Sequence, residues 1–271
     1  MGAVYEMSEE LCFLSAVELH ARVVRREVSP VEITRAVLAR AERLQPTLKC
    51  FITLCGDEAL AQARRAEQAV MAGEPLGLLH GVPFTVKDLV NTQGVRTTFG
   101  AVPHQDNVPD HDAVAVARLR EHGAILIGKT TTPEFGSKCL TDSPLFGRTR
   151  NAWSSERTSG GSSGGAAVAV ASGIAPLAVA TDGGGSTRIP SVRVRDQLVW
   201  RLRARGDTAG LVAKVEQMFL SASGDASASA KLEALGLEVV ATSGKELARR
   251  ILTERNRWKP IVEASGFVAE D

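Results

Sequence analysis

Residues 158–190 read TSGGSSGGAAVAVASGIAPLAVATDGGGSTRIP, and this stretch decides the fold. Ser162 and Ser186 each sit beside a glycine cluster. Gly160, Gly161, Gly164 and Gly165 flank the first, and Gly183, Gly184 and Gly185 lead into the second. Glycine allows backbone N–H groups to converge on one point, because positive φ and close approach cost it little. Several N–H groups beside a hydroxyl make a receptor for negative charge on oxygen. A flexible Gly/Ser linker would have no reason to enclose AAVAVA, a helix-capable run, and then LAVAT, a buried-strand run that leads to Asp182. The glycines therefore read as loops at the ends of a helix and a strand.

A serine nucleophile needs a group to take its proton. Upstream, GVPFTVKDLV places Lys87 inside an otherwise apolar run from Val82 to Val90. A solvated lysine is a poor base, but desolvation lowers its pKa and can leave it neutral. The alternative is an exposed lysine at a strand end.

This combination resembles the amidase signature family, whose members hydrolyse or transfer amide nitrogen with a Ser–Ser–Lys triad. VPFTVKD (82–88), LIGKTTTPEFG (126–136), GRTRNAW (147–153), GGSSGGAA (160–167) and TDGGGSTRIP (181–190) occur in the family's order, and the likeness spans roughly residues 8–190. It implies an α/β fold, a mixed sheet flanked by helices. It further implies that Ser186 is the nucleophile, that Ser162 is a bridging serine on a cis peptide, and that Lys87 is the base. The N–H groups of Gly183, Gly184, Gly185 and Ser186 are implied as the oxyanion hole. The substrate implied is a small-molecule amide, with no metal or organic cofactor, and the family's N-terminal helices can support a homodimer. Asp182 and Arg188 bracket the nucleophile and read as an ion pair fixing its loop, against the alternative of two separately solvated charges. Ala152 and Ser159 stand where the family usually has proline, and Ser143 where asparagine is common.

Composition fits this reading. The 271 residues can bury a substantial core. A net charge of +1 and 4% aromatic residues give no basic or base-stacking surface for nucleic acid and no attraction to an anionic membrane. The N-terminal residues lack the basic and apolar regions of a signal peptide, and no apolar run approaches the ~18 residues of a membrane helix. Cys12, Cys50, Cys55 and Cys139 form no CxxC pair, so reduced, mostly buried thiols in the cytoplasm are expected.

Along the chain, the apolar spacing predicts a helix over 15–27 and a second one after Ser29, capped by that serine with Pro30 in its first turn. A strand is expected at 49–55, a helix at 57–72, a strand carrying Lys87, a helix at 111–123 closed by Gly123, and a buried strand in AILIGK. His80 reads as a structural loop histidine, and Thr97 and Thr98 as residues that could border the site. GAILIGKT (123–130) satisfies the P-loop expression, yet AILI is a strand where a phosphate loop is needed, and Pro133 stands where a helix should follow. GGSSG (160–164) satisfies the α/β-hydrolase elbow, but all five histidines precede Ser162, so that triad lacks its base in the required order.

After Pro190 the family pattern stops. Residues 191–206 read as a junction in a fusion or truncation, and 207–271 as a small helical or αβ segment of different origin. A helix with Leu211, Val212, Val215, Met218 and Phe219 on one face is expected there, then a helix at 226–235, a strand at LEVVAT, and a helix opened by a Ser243–Glu246 capping box. Roughly residues 198–270 resemble the end of the substrate-binding proteins of tripartite tricarboxylate transporters, with LEALGLEVVATSGKELARRILTERNRWKPIVEASG (232–266) carrying the likeness. Beside an amidase, the sequence thus leaves two other readings: an inactive fragment or fusion product, and a small-carboxylate-binding protein.

Overall fold

The computed structural model describes residues 9–194 continuously and, beyond them, isolated positions between 217 and 260. The chain divides into two compact units, Met1–Val199 and Trp200–Asp271. In the second, Gln217, Ala226, Ala230, Glu246, Arg249 and Leu252 are helical. Ser243 Oγ accepts the Glu246 N–H at 3.2 Å, as the expected capping box requires. The LEVVAT strand and the apolar face around Leu211 and Phe219 lie outside the described residues.

In the first unit, α1 (Ala16–Val24) and α2 (Pro30–Leu48) each open on a serine capping box, Ser15 with Glu18 and Ser29 with Glu32. Each box satisfies N–H groups that the first turn cannot pair internally. β1 (Phe51–Leu54) leads into α3 (Gly56–Ala72). Then follow β2 (Pro83–Lys87), α4 (Val114–Glu121) and β3 (Ile125–Thr130). Two short strands, β4 (Asp142–Ser143) and β5 (Gly147–Arg148), form a separate hairpin. The unit ends with α5 (Gly164–Ala171), β6 (Leu177–Val179) and α6 (Arg188–Arg193).

The main sheet runs β1-β3-β2-β6. β1 is antiparallel to β3, whereas β2 is parallel to both β3 and β6. It is therefore mixed, as the resemblance implies. One apolar cluster joins Val37 and Ala41 of α2, Phe51, Ile125, Ile127, and Val168 of α5. A second joins Phe84 and Val86 of β2, Leu126 and Val116 of α4. α2, α3 and α5 thus share the first cluster and α4 the second, the arrangement of an α/β layer.

One expectation changes. LAVAT was expected to be buried, yet Leu177–Val179 are only half-buried, because β6 is an edge strand among the described residues. β3 is buried throughout, as expected, but does not alternate regularly. Phe84 pairs with Leu126 but Thr85 with Gly128, so a bulge at Ile127 shifts the register by one residue. Such a bulge reverses the face on which every later side chain lies. Lys129 therefore pairs with Val86, and Thr130 with Lys87.

The expected buried thiols hold for Cys12 and Cys50, whose pKa values burial raises to about 11 and about 12. Cys55 is half-buried and Cys139 exposed. Among the described residues no helix is long and apolar enough to cross a membrane.

Candidate active site

Lys87 ends β2, the strand with a parallel neighbour on either side. Open α/β sheets bind ligands outside the carboxyl ends of their strands. Lys87 lies at that end, and its side chain is fully buried. Parallel pairing of Phe84–Val86 with Leu177–Val179 brings the chain past β6 level with Lys87, which delivers Thr181 to it. α5 starts at Gly164, directly after the two serines of GGSSGG, so its first turn presents both to the same amine.

Lys87 Nζ lies 2.7 Å from Ser162 Oγ, 2.8 Å from Ser163 Oγ and 2.9 Å from Thr181 Oγ1. Ser162 and Ser163 are 1% exposed, so water does not compete for these bonds. The peptide between Gly161 and Ser162 is cis, as implied for the bridging serine. Burial draws the Lys87 amine down to about 8, with the negative charge of Asp182 opposing the shift. Among the described residues no carboxylate forms an ion pair with it, and desolvation outweighs the pull of Asp182.

Hydrogen-bond polarity then assigns the contacts of the neutral amine. It has two N–H donors and one lone pair. Ser163 Oγ donates to the Thr181 carbonyl at 3.1 Å, so toward Nζ it can only accept. The second N–H and the lone pair are then shared between two hydroxyls, Ser162 Oγ and Thr181 Oγ1. Ser163 and Thr181 were not singled out from the sequence. The doubled serine of GGSSGG was the one available signal for Ser163, and Thr181 carried none beyond its place before Asp182.

Ser186 is half-buried on the loop between β6 and α6. Its carbonyl accepts the Ser163 N–H at 2.9 Å, which ties that loop to the start of α5. Its hydroxyl has no hydrogen-bond partner among the described residues. The structure thus joins Lys87 to Ser162 directly and joins Ser186 to the same turn through its backbone.

The expected Asp182–Arg188 pair is present and bidentate, Nη2 to Oδ1 at 2.8 Å and Nε to Oδ2 at 3.1 Å. Asp182 also accepts the N–H groups of Gly185, Thr187 and Arg188 at 2.8, 3.0 and 3.0 Å. The Arg188 guanidinium and these amides hold its carboxyl well below the ordinary range. The Gly185 N–H is therefore committed to Asp182. The N–H groups of Gly183, Gly184 and Ser186 donate to nothing among the described residues.

Other expectations resolve as follows. His80 is structural, its Nε2 lying 2.9 Å from the Ala66 carbonyl. Thr97 Oγ1 accepts from Lys129, which lies on the sheet face opposite Lys87, whereas Thr98 binds Asp88, the residue that follows Lys87. Ser159 and Ser143 are buried where the family has other residues. Ser159 Oγ donates to the Gly160 carbonyl at 3.2 Å and Ser143 Oγ to the Gly100 carbonyl at 2.7 Å, which anchors both loops.

The profile of the Amidase family matches residues 32–192. The acylamidase of Rhodococcus erythropolis is 44% identical over 183 residues, covering 68% of this chain and 38% of that protein. A glutamyl-tRNA(Gln) amidotransferase subunit of Thermosynechococcus vestitus is 44% identical over 174 residues, covering 64% and 36%. Among solved structures, a bacterial aryl acylamidase of the amidase signature family superposes with a TM-score of 0.64 at 36% identity, covering 66% of this chain and 37% of that one. The native peptide amidase of Stenotrophomonas maltophilia gives 0.62 at 34%, covering 65% and 38%. The chain spans under two-fifths of the length of these relatives. The profile takes in both serine loops and the strand bearing the buried amine, and on that match the chain belongs to the Amidase family.

Proposed function

We propose that this chain carries the acylating centre of an amidase, which hydrolyses a carboxylic amide to the acid and ammonia or an amine. The observation that carries the reading is a fully buried, lowered-pKa amine 2.7 Å from Ser162 Oγ. Ser186 attacks the amide carbonyl and passes its proton to Ser162 Oγ, while the Ser162 proton moves to Lys87 Nζ. The tetrahedral oxyanion accepts the free N–H groups of Gly183, Gly184 and Ser186, where losing one such donor typically costs about 3 kcal/mol. Gly185 contributes only after breaking its bond to Asp182. The proton returns along the relay to the leaving nitrogen, whose bond to the carbonyl carbon breaks. Water, deprotonated by the same relay, then frees the acid from Ser186. The Ser186 hydroxyl makes no bond to Ser162 Oγ among the described residues, and catalytic hydrogen bonds of this kind commonly tighten only with substrate. Asp182 and Arg188 hold the nucleophile loop and take no proton.

The amidase part is read as residues 1–190, with 191–206 a junction and 207–271 of separate origin. The family match, which ends at residue 192, supports that division. Four cysteines without a disulfide fit a reduced, cytoplasmic setting.

Ammonia release from a short aliphatic or aryl amide tests the reading. Wild type is expected to turn over, and Ser186→Ala to fall by at least about a thousandfold. Equal rates in both would remove Ser186 from the chemistry. No turnover by folded wild type would favour the inactive-fragment reading.

A further inference from the structure

Lys129 is a second fully buried amine, and the chemistry above does not use it. The bulge in β3 places it beside Val86, on the sheet face opposite Lys87. Its Nζ donates to three oxygens of one loop, the Val90 carbonyl, Thr92 Oγ1 at 2.8 Å and Thr97 Oγ1 at 2.8 Å. Among the described residues no carboxylate forms an ion pair with it, so its bonding goes entirely to neutral loop oxygens.

The two ends of that loop meet the candidate site. Asp88 follows Lys87 directly. Its Oδ2 accepts the Thr98 N–H at 2.9 Å and the Thr98 hydroxyl at 2.5 Å, and its carbonyl accepts the Phe99 N–H at 3.1 Å. The Phe99 carbonyl in turn accepts the Phe135 N–H at 2.8 Å, and the two rings stack with centroids 6.4 Å apart. Phe99 and Phe135 both adopt left-handed backbone, at φ 55° and 48°, which costs a bulky residue free energy unless its surroundings impose it. Gly136 comes next and packs on the bridging serine; a Cβ there would lie 3.1 Å from Ser162 Oγ.

We propose that Lys129 is a positioning residue, which gathers Val90, Thr92 and Thr97 around its amine and so fixes the 88–100 loop and, through Phe99 and Phe135, the seat of Gly136 against Ser162. Any effect on turnover rests on the proposed Ser186–Ser162–Lys87 relay; the placement itself does not.

In Lys129→Met the Thr92 and Thr97 hydroxyls keep their own bonds to the Val90 and Val95 carbonyls, both at 3.1 Å. Adding Thr92→Val and Thr97→Val would strip those carbonyls of these donors as well, which is the costly case of a partner left unpaired. The informative protein is therefore the full chain with Lys129→Met alone, in which an apolar side chain of like length fills the site. Amide hydrogen exchange over 97–100 and 134–137 is expected to run at least about tenfold faster in it. Unchanged exchange there would overturn the proposal whether or not the wild type has activity. Where wild type hydrolyses amide, kcat is expected to fall about tenfold or more with KM within about twofold, the mark of lost alignment rather than lost binding. A kcat within about twofold of wild type, at a temperature where the variant is fully folded, would show a purely structural role and would also overturn it.

Discussion

Lys87→Met is expected to lower kcat/KM for amide hydrolysis by about a thousandfold while leaving the chain folded. Removing a positioned base typically costs between about a hundredfold and ten-thousandfold; a thousandfold is about 4 kcal/mol of barrier. Methionine matches the length of lysine and brings no charge, so the buried site is filled without a desolvation cost. The pH dependence carries a second signature. Free lysine titrates near 10.4, and the folded state holds Lys87 at about 8. The reactive neutral amine therefore accumulates as pH rises through about 8, and wild-type kcat/KM should climb along a limb with that midpoint. Stability has the same sign. The unfolded chain binds the extra proton between about 8 and about 10.4, so the burial penalty is full below pH 8 and is relieved across that window. In Lys87→Met the rate limb should vanish together with the Lys87 share of this stability gain. Rate–pH profiles and melting temperatures at pH 7 and pH 9.5 check both. A variant within tenfold of wild type would contradict the role given to Lys87.

Gly165→Ala is expected to damage the fold and the site together. Gly165 lies in the first turn of α5, where alanine would ordinarily favour the helix. Here a Cβ would stand 2.3 Å from Thr131 Oγ1, 2.5 Å from the Thr131 nitrogen and 2.7 Å from the Cys50 carbonyl oxygen. Two of those atoms are backbone and cannot rotate away. Overpacking a core typically costs about 1–3 kcal/mol and more where backbone must shift. We therefore expect at least about 3 kcal/mol lost in denaturant unfolding, or insoluble protein. Because α5 begins next to Ser162 and Ser163, any soluble variant should also lose activity. A melting temperature within a few degrees of wild type would show that α5 can slide away from β3.

Much of this was legible in the residues because the signals were local. Ser29 and Pro30 mark a helix start by hydrogen bonding and fixed φ alone, and α2 begins there. Lys87 stood out as one cation in an apolar strand, which burial turns into a lowered pKa. Asp182 and Arg188 are close enough in sequence for the loop between them to dictate their pairing. The remainder depends on how distant segments meet. Ser163 accepts from Lys87 because it donates to the Thr181 carbonyl at 3.1 Å, a contact made only when β6 aligns with β2. Thr97 and Thr98 read alike as residues that could border the site, yet Thr97 binds Lys129, which the bulge puts on the far face, while Thr98 binds Asp88 beside Lys87. Gly128, isolated within a strand, was the available hint of that irregularity: a Cβ there would meet the Thr53 carbonyl at 2.3 Å. The half-buried β6 was unreadable, since LAVAT is as apolar as a central strand and only the sheet order makes it an edge.

The relay from Ser186 through Ser162 to Lys87 is tested most directly by covalent trapping. The full chain would be incubated with a fluorophosphonate and its adduct located by intact mass and peptide mapping. A single adduct on Ser186, absent in Ser186→Ala and formed at least about a hundredfold more slowly in Lys87→Met, is the predicted result. A folded chain left unlabelled, or labelled at Ser186 at the same rate with and without Lys87, would contradict it.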